Sequence, residues 1–166
     1  MLGIAFKEWA VVCKALAVGR QSLILRKGGI AEVGGEFRPE HSRFWLYPTY
    51  LHEHRAGIKL EALPLFDKAI AERPPSGIVR LSHFAEVTSV RRLDDWPQVE
   101  ALDTQHVWSP AAVRAKFEYR TPGLLVLTVR VCSVSRTIEL TEIPEYAGCK
   151  SWVKLERELA TGQADE

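Results

Sequence analysis

The run "GLLVLTVRVCSV", Gly123 to Val134, is the strongest constraint on the fold. It is rich in β-branched residues and apolar on both alternating faces, so it is read as a strand inside a sheet covered on both sides. Twelve residues are too few to cross a bilayer, and no other stretch approaches the ~20 apolar residues of a membrane helix. The following "RTIEL" is expected to pair beside it as a separate strand.

Around this strand the sequence predicts alternating short elements. "IAFKEWAVVCKALAV", Ile4 to Val18, places Ala5, Trp9, Val12, Cys13 and Leu16 at helical spacing, and Gly19 is the expected left-handed cap. Ser22 to Arg26 reads as a buried strand turning at Gly28-Gly29, and "IAEVGGEFRPEH" as a loop. Arg43 to Tyr50 alternates as a strand, with Phe44, Leu46 and Tyr50 toward the core and Arg43, Trp45, Tyr47 and Thr49 on the other face. Pro48 cannot donate to a ladder, which places this strand at an edge or ends it nearby.

Leu60, Leu63 and Phe66 predict a helix, or two short helical pieces, stopping at Pro74-Pro75. Val79 to Thr88 alternates as a long strand bent near His83-Phe84. Asp94 and Asp95 are expected to cap a short helix, and Ser109-Pro110 to open another. "SWVKLERELA" is read as a final helix, fraying into residues 161–166 as a disordered tail. The fold class that follows is α+β: one domain over residues 1–160, a mostly antiparallel, curved sheet or partial β-barrel with flanking helices.

With 166 residues the chain can bury roughly two thirds of the surface it would expose unfolded. Net charge is +1, so attraction to nucleic acid or to an anionic membrane must come from a local patch. Cys13, Cys132 and Cys149 are odd in number and form no C-x-x-C pair, which predicts free thiols and a cytoplasmic location.

"HSRFWLYPTYLHEHR", His41 to Arg55, holds three of the five histidines. His52 and His54 would share one face of an extended chain, yet a third ligand would have to come from His106 or Cys149 without supporting spacing, so no metal is expected. Cys149, beside Lys150, is a candidate thiolate but equally a small buried thiol in a turn. A metal-dependent nuclease needs an acid-x-lysine pair on a strand, and Glu32, Glu36, Glu53, Lys59 and Glu61 do not supply one. "RKGGIAEVGGE" lacks both glycine-loop phosphate patterns. No cofactor is expected.

What remains is a surface: Arg26, Lys27 and Arg43 to meet phosphates, Trp45 and Tyr47 to stack on bases, His52 to donate a hydrogen bond. The competing reading places Trp45 and Tyr47 in the core as packing. The expected function is binding of RNA, single-stranded nucleic acid or a nucleotide-like ligand. A hydrolase acting on nucleic acid, metal-dependent or using His52 or Cys149, and a protein-interaction module using an edge strand, are the alternatives.

The phrases "AFKEWAVVCKAL", "GRQSLILRKGGI", "HSRFWLYPTYLHE", "PGLLVLTVRV" and "YAGCKSWVKL" resemble the domain-of-unknown-function 1802 family of bacterial and archaeal proteins, over almost the whole chain. The order of elements is also similar to the small PUA-like and ASCH-like barrels of the pseudouridine-synthase-associated superfamily. That second likeness implies a ligand such as RNA or a modified base.

Overall fold

The computed structural model describes residues 1–28, 30–33, 36–51, 53–148 and 150–162. Eight strands and four α-helices follow in chain order: β1 (Leu2–Trp9), α1 (Ala10–Ala17), β2 (Leu23–Arg26), β3 (Ile30–Val33), β4 (Glu36–Pro39), β5 (Arg43–Thr49), α2 (Leu63–Ala71), β6 (Ile78–Leu93), α3 (Trp96–Glu100), α4 (Pro110–Glu118), β7 (Leu124–Thr141) and β8 (Trp152–Leu159). Six strands form one mixed sheet in the order β2-β7-β6-β5-β1-β8, and β3 and β4 form a separate hairpin. All pairings are antiparallel except β1 with β5. This is the expected α+β class, with a partial barrel.

The sheet separates two cores because successive residues of a strand point to opposite faces. On β5, Phe44 and Leu46 join Phe6, α1, Phe66, Trp108, Phe117 and Val126 in one core. Trp45 and Tyr47 join Ala5, Leu81, Phe84, Tyr146, Val153 and Leu155 in the other. The long β6–β7 ribbon contributes to both, its register shifting between Leu81 and His83 and again between Val87 and Ser89. The first shift lies beside His83-Phe84, where the sequence predicts a bend.

Several expectations are corrected. The first predicted helix is a strand up to Trp9 and a helix only from Ala10. β1 lies between β5 and β8, so Ala5 and Phe6 are buried on opposite faces, and with no turn between strand and helix their apolar spacing merges into one pattern. The last predicted helix is β8: Val153, Leu155 and Leu159 are buried in the second core and Lys154 is exposed, while Trp152 packs against the first core. Trp152, Leu155 and Leu159 thereby imitate helical spacing.

The expected loop after Gly29 contains the β3–β4 hairpin. "RTIEL" continues β7. β5 is an interior strand and not an edge, but it ends at Thr49, next to Pro48, which is the other expected alternative; Pro48 is tolerated because β5 pairs with β6 only through Arg43–Trp45. Asp95 precedes α3 without a side-chain cap bond. Ser109 does cap α4, accepting from Ala112 N at 3.2 Å, and Gly19 closes α1 at φ 72°. Cys13 and Cys132 are free thiols. The expectations for His52, for Cys149 and for tail residues 163–166 lie outside the described residues. Among the described residues no helix is long and apolar enough to cross a membrane.

Candidate functional site

A cleft of about 1240 Å³ opens where the end of β1, α1, the end of β2, the end of β5 and the start of β6 converge. Lys7, Arg26, Arg73, Lys116 and Lys150 line it, against Glu8, Glu72 and Glu142. A second, more apolar cavity of about 560 Å³ shares Glu8, Trp9, Leu25 and Lys116 with the first. The two spaces meet at the Glu8–Lys116 locus, placed there by the last turn of β1 and the inner side of α4.

Arg26, at the end of β2, lies over the Phe6 ring at 4.7 Å and the Trp152 ring at 5.8 Å. Its Nε donates to Gly28 O at 3.2 Å, while Nη1 is buried without a hydrogen-bond partner. Burial disfavours its charge, and Glu8 and Glu40 support it. Lys116 donates to Leu25 O at 3.3 Å and sits 5.1 Å from the Trp108 ring. Burial lowers its affinity for the proton and Glu8 opposes that.

Glu8 accepts from Trp9 N at 2.7 Å. Burial holds its carboxyl above the ordinary carboxylate range, with Lys116, the Trp9 N–H bond and Arg26 pulling it back. An acid held up and an amine held down in one cleft mark a place where charge is costly, a pattern found at functional sites.

The wall between the cavities is packed closely. His54 meets Trp9 edge-on at 5.3 Å, and Gly57 lies so close that a Cβ there would come within 2.9 Å of both rings. Glu53 caps α1 by accepting from Val11 N at 3.0 Å, a role the Trp9 position cannot supply itself. The acids and lysine weighed for nuclease chemistry are therefore dispersed: Glu53 caps a helix, and Lys59 is held by Asp103 and by His106 O at 3.1 Å. Among the described residues no group of three or more His, Cys, Asp or Glu side chains could hold a metal ion.

The expected surface residues divide. Arg26, Lys27 and Tyr47 border the cleft, whereas Arg43 and Trp45 lie away from it. The Lys27 ammonium donates to Phe117 O at 2.7 Å, to Gly123 O at 2.8 Å and to Thr121 O, fastening the chain after α4. Arg43 covers the Phe84 ring at 4.6 Å and pairs with Glu86 at 3.1 Å, and Glu86 also holds Arg130.

Trp45 and Tyr47 are only 0% and 2% exposed, which corrects the stacking role expected of them. Both faces of β5 are covered, so its odd-numbered residues fill the second core; Trp45 Nε1 donates to Leu2 O at 3.0 Å and the Tyr47 hydroxyl to Glu142 Oε1 at 2.9 Å. Besides Phe6 and the buried Tyr47, the aromatic rings that line the cleft are Trp9, Tyr50, which carries Arg73 at 4.8 Å, and the exposed Tyr119. Glu8, Trp9 and Lys116 were read only as parts of helices; a carboxylate beside a tryptophan at a strand-to-helix junction was the signal available.

Solved structures with similar folds come from the ASCH protein of Zymomonas mobilis. One mutant form aligns over 93% of this chain and 90% of its own at 14% identity and a TM-score of 0.53, so the two share a fold. Another structure of the same protein gives 17% identity and a TM-score of 0.49; that match covers 76% of this chain and 66% of the other, just under two thirds of its length. No curated protein matches the sequence. A family model matches residues 5–165, and the chain belongs to that family, described as domain of unknown function DUF1802.

Proposed function

We propose that the protein binds single-stranded RNA, or a nucleotide-like anion, in the cleft between β1, β2, α1 and α4. The observation that carries this reading is the cationic lining: Lys7, Arg26, Arg73, Lys116 and Lys150 gather on one cleft in a chain whose net charge is only +1. Phosphate neutralisation is the dominant, salt-sensitive part of nucleic-acid affinity, and a local gathering of cations supplies it without global charge. Arg26, which lines the cleft, also keeps one buried guanidinium nitrogen, Nη1, without a hydrogen-bond partner. Trp9, Tyr50 and Tyr119 supply flat rings beside the cations, in the role first expected of Trp45 and Tyr47. The shared ASCH fold is consistent with this reading.

The test is fluorescence anisotropy of labelled single-stranded RNA and DNA at two salt concentrations. An Arg73→Glu, Lys150→Glu variant reverses two exposed cleft cations; it is expected to weaken binding at least tenfold and to flatten the salt dependence by about one unit of slope per lost phosphate contact. Arg43→Ala, outside the cleft, is expected to bind as wild type does. Equal binding by the cleft variant, or loss with Arg43→Ala, would overturn the assignment.

A further inference from the structure

Ser82 and His83 are neighbours in sequence, and in a regular strand they would point to opposite faces. Here they do not. Val79, Leu81 and Phe84 are the β6 residues that enter the second core, a spacing of two and then three, and the register slips between Leu81 and His83. The surplus residues of this irregularity lie on β7, between Ser133 and Ile138, opposite Ser82, and both Ser82 and His83 line the cleft. Ser82 Oγ and His83 Nδ1 are 2.9 Å apart. With the proton on Nε2, the hydroxyl donates to Nδ1. Strand irregularities of this kind re-aim side chains and are enriched beside active sites.

We propose that Ser82 and His83 form the nucleophile and base of a serine-type acyl hydrolase acting on carboxylic esters of anionic molecules. Burial and then the charge of Lys14 keep the imidazole in its neutral form at neutral pH, the form from which a general base must start. Lys14, also on the cleft and paired with Glu72, is the cation available to a developing oxyanion. The lining that favours anions sets the substrate class.

In the first step the Ser82 hydroxyl proton passes to His83 Nδ1 as Oγ bonds to the ester carbonyl carbon, whose π pair moves to oxygen. That pair returns, the carbon–alkoxide bond breaks, and the leaving alcohol takes the proton from His83. Water, with His83 again as base, then releases the carboxylic acid and restores Ser82.

The activity goes beyond RNA binding and does not require it. The test measures release of p-nitrophenolate from p-nitrophenyl acetate and from the anionic p-nitrophenyl hemisuccinate. It is accompanied by labelling with a fluorophosphonate and mapping of the labelled peptide. The expected result is faster turnover of the hemisuccinate, label on Ser82, and a fall of about a hundredfold or more in Ser82→Ala and in His83→Gln. Ser82→Cys, checked for folding by circular dichroism, is expected to take up iodoacetamide faster than wild type at pH 7. Turnover within twofold of wild type in folded Ser82→Ala, label elsewhere, or neither turnover nor label in the wild type would overturn the proposal.

Discussion

At the scale of single residues, the molecule separates groups that serve the fold from groups that strain it. His106 is 5% exposed, packed 5.6 Å from the Trp108 ring, and its pKa is lowered to about 4 by burial and by Lys59. It is therefore neutral in the native state at pH 6, while in the unfolded chain it takes a proton below about 6.5. The unfolded state binds more protons between those values, so stability is full above pH 6.5 and falls as the pH drops toward 4, by on the order of 3 kcal/mol. His106→Gln is expected to flatten that part of the pH profile of chemical denaturation; an unchanged acid slope would contradict it. Glu8 works with the opposite sign: its raised pKa means that stability declines as pH rises through it, so the charged form is retained at a cost. A group that weakens the fold at neutral pH and lines two cavities is better explained by binding than by packing.

At the scale of elements, the end of α4 depends on Lys27. Its ammonium holds Phe117 O, Thr121 O and Gly123 O, and Gly123 N in turn donates to Phe117 O at 3.1 Å. Lys27→Met is expected to raise hydrogen exchange at the Gly123 amide about tenfold, a loss of ~1.4 kcal/mol of local stability, while exchange in β1 stays unchanged. Global destabilisation without a local signature would contradict that role. This contact was invisible in the sequence because it joins residues some ninety positions apart.

What the sequence made legible was local: the Ser109 cap, the glycine end of α1, the irregularity of β6 beside His83-Phe84 and the apolar β7. What it concealed was nonlocal. β1 and β8 looked helical because a strand abutting a helix, and a strand with apolar residues on both faces, both place apolar residues at intervals of three and four. Arg26 and Lys27 were expected on a phosphate-binding surface and both line the cleft, but no spacing could say that one keeps a donor without a partner while the other spends all three.

At the scale of the whole molecule, the division into two cores decides where a ligand can go. Because β5 is covered on both faces, its aromatic residues hold the partial barrel together, and the proposed binding surface lies instead at the strand ends. The cleft forms there, where β1 passes into α1 and where β2 and β5 end, and the gathered cations are brought from distant parts of the chain. The most direct measurement is an NMR titration of the 18.7 kDa protein with a short single-stranded RNA, following backbone and arginine side-chain signals. The account predicts shifts concentrated at Glu8, Trp9, Arg26, Arg73 and Lys116, with Arg43, Glu86 and Arg130 unmoved. Shifts centred on Arg43, Glu86 and Arg130 with the cleft silent would contradict it.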